Sequence, residues 1–556
     1  MNKKVCSFPI LFALLALLIG TCAVVFPASA QAAPTSTGSI TVSGTVASSY
    51  DAYQIFSANA VDGDNDAKIA TDLAWASDDV HDAALPVLHS AGMPKSQTTA
   101  QEAAEWLNTD SHLTSALSAQ LARSLQSSGA RPAALNAGTT AELPCGYWLI
   151  VADDDAIAQG EAGTAPIMTL VGGSAVTVKP KAATPKVAKH VLEDGTAAWQ
   201  KAADATVADD LYWRLSATVP AGLTAYDTYT VQFVDTMSAG LDPSKVAASM
   251  RVYVAAGADG GFDAVSVGKD GRAGTEPAKG WTDITAQCAT KVAADGKTFT
   301  VRTGDLIAAL GGADAFAAGA RVVAVYNAPL GANCNRGATK GNPNEVYLRY
   351  PRSPLADQSG DAGFTRTPSD DACAYTWDLA LTKRGSDGDK PLAGAVLSIA
   401  DDRGRTLAAD GTWDAEGKAT VTTGEDGRVT VSGVDSGKLE VRELKAPKGY
   451  TAFEGTRSVT VKAEGLDVDQ VAAAKPKLTI TAESPLRADS ADGSTGSLEA
   501  SLINTPTGTP PSITTGGFMP STGDMAMYAA AAAAVAGAAL IVVALLVKRG
   551  GGSHKE

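Results

Sequence analysis

In Trp377-Asp378-Leu379-Ala380-Leu381-Thr382-Lys383 the odd-numbered positions are large and apolar until the last, where a lysine takes the apolar place. Side chains of a strand alternate between its two faces, so Trp377, Leu379, Leu381 and Lys383 share one face. Further along, Leu498, Ala500, Leu502 and Asn504 line one face of a second strand, and Leu439, Val441 and Glu443 line one face of a third. The three together predict a β-sandwich with an amine, a carboxamide and a carboxyl group inside it.

An earlier segment repeats the arrangement. Val187, Lys189 and Val191 share a face, as do Tyr229, Val231, Phe233 and Asp235, and as do Asn344, Val346, Leu348 and Tyr350. Lys186 and Asn342 compete for the same roles. Lys186 has the wrong parity, whereas Asn342 has the right one but precedes Pro343, farther from the apolar run.

Working outward, short alternating runs between Gly, Asp and Asn turns predict two tandem sandwiches, at residues 184–355 and 375–506. Residues 36–181 read as a first, α+β domain. It starts on a strand with Ile40, Val42 and Val46, and continues into one helical stretch opened by a capping box at Thr99 and Glu102. Trp106, Leu113, Leu117, Leu121 and Leu125 lie along that stretch, and strands at 147–151 and around Val176 and Val178 close the domain. Residues 179–185, 353–371 and 505–518 have linker composition. The fold class expected is therefore mainly β, with immunoglobulin-like sandwiches behind a mixed first domain.

An isolated ammonium or carboxylate is so costly to bury that it usually changes protonation instead. In such a core the lysine pKa falls and the acid pKa rises. A neutral Lys189 or Lys383 is then a nucleophile, and a protonated Asp235 or Glu443 can polarise the carboxamide of Asn344 or Asn504. Attack on Cγ with loss of ammonia would leave a side-chain amide, with no cofactor or metal, because folding supplies proximity. The plainer alternative is a buried ion pair with Asn as a hydrogen-bond partner.

Val441-Arg442-Glu443-Leu444-Lys445-Ala446-Pro447-Lys448-Gly449-Tyr450 resembles the E-box of Gram-positive pilins, with Leu444 where Thr is usual. Leu381-Thr382-Lys383, Pro391-Leu392-Ala393-Gly394-Ala395 and Ile503-Asn504 look like the other landmarks of a collagen-adhesin B-type domain. Phe233-Val234-Asp235-Thr236-Met237, Gly240-Leu241 and Gly341-Asn342-Pro343-Asn344 resemble the middle domain of shaft pilins. The resemblance implies intramolecular isopeptide bonds Lys189–Asn344, with Asp235, and Lys383–Asn504, with Glu443.

Both ends of the chain agree with export. Residues 1–30 read as a signal peptide, with Lys3 and Lys4, an apolar run at 5–26 and Ala28-Ser29-Ala30 as the cleavage site. Behind a linker at 507–518, residues 519–556 hold Met519-Pro520-Ser521-Thr522-Gly523, an uncharged apolar run at 525–547, and Lys548-Arg549. The run is long enough to cross a bilayer as a helix, with the basic pair on the cytoplasmic side. The five residues resemble the sortase signal L-P-x-T-G, with Met519 for Leu, which implies cleavage after Thr522. Residues 172–181 resemble the pilin motif W-x-x-x-V-x-V-Y-P-K, keeping Val176, Val178, Pro180 and Lys181 but with Gly172 for Trp and Lys179 for Tyr.

By that resemblance a pilin sortase joins Thr522 of one copy to Lys181 of the next, Lys179 being the competing lysine, and a housekeeping sortase transfers the fibre to peptidoglycan. The implied product is a wall-anchored surface pilus, retained transiently in the membrane during assembly, with minor or tip pilins as further partners and adhesion to host surface ligands as its use. Rival readings are an unpolymerised wall-anchored adhesin and a surface hydrolase using Asp153, Asp154 and Asp155.

Other classes find no support. A net charge of −15 without a Lys/Arg cluster argues against nucleic acid. The five histidines have no ligand spacing, and the calcium-like Asp62-Gly63-Asp64-Asn65-Asp66 has Ala67 and Leu73 where the turn Gly and the bidentate Glu belong. Cys145, Cys288, Cys334 and Cys373 of the exported chain allow three disulfide pairings, among which the sequence does not choose.

Overall fold

The computed structural model describes residues 36–508 except 65, 66, 110 and 182. The expected signal peptide, the Met519–Gly523 motif and the apolar run behind it lie outside the described residues. Among the described residues, no helix is long and apolar enough to cross a membrane.

The chain is mainly β and builds its cores in successive segments. In the first, Thr37–Val42 lies between Thr140–Pro144 and Val176–Val178, and a second sheet is centred on the long strand Ser49–Asp62. Val46 is buried but falls in the bend after the first strand, which ends at Val42. The single helical stretch expected from the leucine spacing is in fact two helices, Ala100–Asn108 and Ser115–Gln126, with a third, Asp78–Ser90, ahead of them. The Thr99/Glu102 capping box is present. The break has a local cause: Thr109 leaves the helix in an extended conformation, and Thr114 caps a new one by accepting from Leu117 N at 3.1 Å. Leu113 therefore sits in the break, exposed, while Leu117, Leu121 and Leu125 face the core.

In the middle segment two sheets enclose the largest core. One runs Ala198–Gln200, Lys186–Glu193, Tyr212–Val219, Ala320–Asn327, Arg251–Ala256, Thr282–Asp283; the other runs Ala202–Asp204, Asp370–Tyr375, Asn342–Pro351, Gln232–Met237, Thr298–Arg302, Ala289–Val292. Residues 353–371 are not a linker throughout. Phe364–Arg366 and Asp370–Tyr375 both pair with Asn342–Pro351, so this sheet continues to within two residues of Trp377.

The third segment also has two sheets, and its first and last strands are neighbours. Trp377–Gly385 and Ser497–Pro506 pair in parallel, with Lys383 opposite Leu502 and Gly385 opposite Asn504. The facing sheet carries Gly437–Lys445 between Val396–Ala400 and Thr456–Glu464. Alternation along Trp377–Gly385 is as the sequence implies, with Trp377, Leu379, Leu381 and Lys383 all turned inward.

The two sandwiches meet without a spacer. Trp377 donates its indole N–H to Asp204 Oδ2 at 2.7 Å, and Ser436 donates its backbone N–H to the same oxygen at 2.9 Å. Around them Arg403 and Arg405 pair with Asp209 at 2.8 and 2.6 Å. Burial and the neighbouring Asp204 and Asp194 carboxylates push Glu193 up to about 8, and burial with the same neighbours holds Asp435 well above its ordinary range.

Candidate functional site: two buried amine, acid and amide clusters

Lys383 and Lys189 are both completely buried, at 0% exposure, a state lysine almost never occupies without a partner. Lys383 meets an acid and an asparagine directly, whereas Lys189 meets an acid directly and an asparagine through a shared tyrosine hydroxyl.

In the third segment Lys383 and Asn504 come from adjacent parallel strands of one sheet, and Glu443 reaches in from the facing sheet. Lys383 Nζ donates to Asn504 Oδ1 and, at 3.4 Å, to Leu502 O. Glu443 Oε1 stands 3.3 Å from that nitrogen. The same carboxylate accepts from Asn504 Nδ2 at 2.9 and 3.0 Å and from Phe453 N at 3.1 Å. One acid thus touches the nucleophile and the group that would leave. Burial pulls Lys383 down to about 8, against the opposing pull of Glu443, so a useful share of neutral amine exists near neutrality.

In the middle segment the geometry differs. Lys189 belongs to one sheet, whereas Asp235 and Asn344 sit on adjacent strands of the other, Asp235 opposite Val346 and Asn344 opposite Met237. Lys189 Nζ contacts Asp235 Oδ2 and donates to the Tyr326 hydroxyl at 2.9 Å. Tyr326 donates to Asp235 Oδ2 at 3.0 Å and accepts from Asn344 Nδ2 at 2.8 Å. Burial lowers Lys189 to about 8 and raises Asp235, each opposed by the other's charge. Trp213 and Tyr326 cover the amine, their ring centroids 5.5 and 5.4 Å from Nζ. Lys201 clamps the strand from outside: it pairs with Asp370 and donates to Lys189 O at 2.9 Å, while Asp370 accepts from Lys189 N at 2.7 Å.

The competitors separate cleanly. Lys186 is exposed. Asn342 is buried, but backbone groups occupy it fully: it donates to Asn335 O at 3.0 Å and Ala374 O at 3.2 Å, and accepts from Asn335 N at 2.9 Å. Gly240 packs against that amide so closely that a Cβ there would come within 2.0 Å of Asn342 Oδ1. Asn342 is a structural brace, away from Lys189.

Tyr326 was not singled out by sequence reasoning. Its parity with Val322 and Ala324 places it inward, but nothing in that pattern distinguishes it from any core aromatic.

Elsewhere, Lys179 and Lys181 are both exposed, with Val178 buried ahead of them and Pro180 half-buried between them. Among the described residues, Cys145, Cys288, Cys334 and Cys373 are all free. Asp153 is a capping residue, accepting from Asp155 N at 3.1 Å and Ser49 Oγ at 2.9 Å, and Asp155 is fully exposed, so these acids do not converge on a hydrolytic pair. Among the described residues, no group of three or more His, Cys, Asp or Glu side chains is placed to hold a metal.

Comparison with known proteins places the third segment most firmly. Residues 378–475 match the SpaA family model, a prealbumin-like fold domain. The trypsin-resistant surface T6 protein of Streptococcus pyogenes serotype M6 is 30% identical over 129 residues; the match spans 22% of this chain and 22% of that protein's length. The T6 backbone pilin structure of the same organism aligns with a TM-score of 0.46 at 17% identity, over 85% of this chain and 98% of that one. The full-length major pilin SpaD of Corynebacterium diphtheriae aligns with a TM-score of 0.41 at 15% identity, over 86% and 100%.

Proposed function

We propose that this chain is the repeating shaft subunit of a covalently assembled, cell-wall-anchored pilus, a structural protein whose middle and third domains each close on themselves through a Lys–Asn isopeptide bond. The observation that carries the reading is the pair of buried clusters, which bring the same three kinds of group together in two sandwiches by different strand geometries. Two independent solutions to one chemical grouping are hard to attribute to ordinary core polarity, for which apolar residues serve at least as well.

The third-domain reaction is simple to balance. Glu443 takes a proton from Lys383, and the neutral Nζ attacks Asn504 Cγ, pushing the carbonyl electrons onto Oδ1. Glu443 returns its proton to Nδ2, the Cγ–Nδ2 bond breaks as the carbonyl reforms, and ammonia departs; Nζ sheds its extra proton to the carboxylate. Water is excluded throughout, and the sandwich holds the reacting groups in contact.

Between subunits the chemistry passes to sortases. Thr522 of one copy would be acylated and transferred to the amine of Lys181 in the next, whose exposure beside the edge strand Val176–Val178 suits that role. The terminal copy would go to peptidoglycan, and minor or tip pilins would join by the same exchange. Mass spectrometry of the purified ectodomain tests the internal bonds, each of which removes one ammonia, about 17 Da. Cell-wall extracts test assembly: a ladder that resists sodium dodecyl sulfate is expected, and a single monomer band would reject the shaft reading.

A further inference from the structure

The two clusters differ in how the acid reaches the leaving nitrogen. Glu443 touches both partners itself, 3.3 Å from Lys383 Nζ and 2.9 Å from Asn504 Nδ2. Asp235 is one methylene shorter, and among the described residues no hydrogen bond joins it to Asn344. The gap is filled by the Tyr326 hydroxyl, which lies 2.9 Å from Lys189 Nζ, 3.0 Å from Asp235 Oδ2 and 2.8 Å from Asn344 Nδ2. A buried tyrosine needs one partner to be satisfied; this one has three, each a member of the reacting set.

Resting on the condensation reading above, we propose that Tyr326 is a catalytic residue of the middle domain, relaying the proton from Asp235 to the departing nitrogen of Asn344. Once neutral Lys189 Nζ has added to Asn344 Cγ, the Tyr326 O–H gives its proton to Nδ2 while taking the proton held by Asp235. The electrons on Oδ1 reform the carbonyl, the Cγ–Nδ2 bond breaks and ammonia leaves. The proton shed by Nζ returns to the Asp235 carboxylate, and the phenol ends as it began. Burial holds Tyr326 protonated, as a relay requires. Phe299, edge-on with centroids 4.8 Å apart, fixes the ring in place.

Tyr326→Phe keeps the ring and removes the relay. The ectodomain is refolded from denaturant and ammonia loss is followed by intact mass, with peptide mapping to tell the two bonds apart. The Lys383–Asn504 bond is expected at its wild-type rate, and the Lys189–Asn344 bond about 100-fold more slowly, the lower range for positioned proton transfer. A middle bond formed at the wild-type rate overturns the proposal. Should Tyr326→Phe fail to fold, 3-fluorotyrosine placed at position 326, nearly isosteric but more acidic, decides the matter: a changed middle-bond rate supports the relay, an unchanged one overturns it. Wild-type protein that loses no ammonia overturns the condensation reading itself, a result distinct from failure of the relay alone.

Discussion

Asn504→Ala removes the acceptor carbonyl of the third domain while leaving Lys383 paired with Glu443 at 3.3 Å, so it deletes the proposed bond without stranding a buried charge. Lys383 and Asn504 are 121 residues apart in sequence. Taking the entropy of loop closure by a cross-link of that span, the bond contributes about 5 kcal/mol. Melting entropy of about 2.1 cal/mol/K per residue over that span is roughly 0.25 kcal/mol/K, so Tm of the third-domain transition should fall by roughly 20 °C. If the cluster were only hydrogen-bonded, losing the Asn504 contacts would cost about 1–3 kcal/mol, or roughly 4–12 °C by the same conversion. Scanning calorimetry of the whole ectodomain resolves the two, with the third-domain transition identified as the one that the variant moves. A fall within the smaller range, or wild-type and variant masses that differ only by the Asn-to-Ala change, would refute the covalent account.

Glu443→Gln should abolish the third-domain bond and spare the middle one, and Asp235→Asn should do the reverse; intact mass then shows one ammonia lost in each case. Rate against pH is the second check. The reacting pair needs one shared proton, and lysines lowered to about 8 surrender it above that point, so bond formation should fall as pH rises through about 8; a rate that keeps climbing would favour simple amine attack. At the junction Glu193 is raised to about 8, so the folded state holds a proton that the unfolded chain releases near pH 4.3. The stability this contributes is complete below that lower value and is lost as pH rises through about 8, and hydrogen-exchange protection around Trp377, taken relative to the intrinsic exchange rate at each pH, should accordingly be lower at pH 9 than at pH 6. With purified sortase, Lys181→Ala should abolish the polymer ladder while Lys179→Ala leaves it intact; the opposite result would reassign the linking lysine.

Strand parity was enough to turn Lys189, Lys383, Asp235, Glu443, Asn344 and Asn504 inward, because a two-residue period carries directional information that survives in a single sequence. Parity alone did not separate Asn344 from Asn342, since both face inward; what separates them is the backbone that claims Asn342, formed by residues distant in sequence. The helical break at 109–114 was hidden because Leu113 keeps the leucine spacing while Thr114 restarts the helix. Residues 364–375 escaped for another reason. Their composition is that of a loop, and they become strands only because Asn342–Pro351 offers an edge to pair with.

The parallel pairing of Trp377–Gly385 with Ser497–Pro506 fixes how a fibre made of such subunits would stretch. A pull entering at Lys181 and leaving at Thr522 would jump from Lys189 to Asn344 and from Lys383 to Asn504, so the residues between each pair would lie slack, outside the loaded route. The first domain, upstream of Lys181, would hang beside the cable and feel no tension. Between the two bonds, residues 345–382 stay in series and unclasped, held by sheet hydrogen bonds and the Lys201–Asp370 pair. At about 3.4 Å per residue the contour of that segment is roughly 130 Å, which bounds the length each subunit could release while the covalent seams hold, giving an otherwise inextensible rod one built-in shock absorber per repeat.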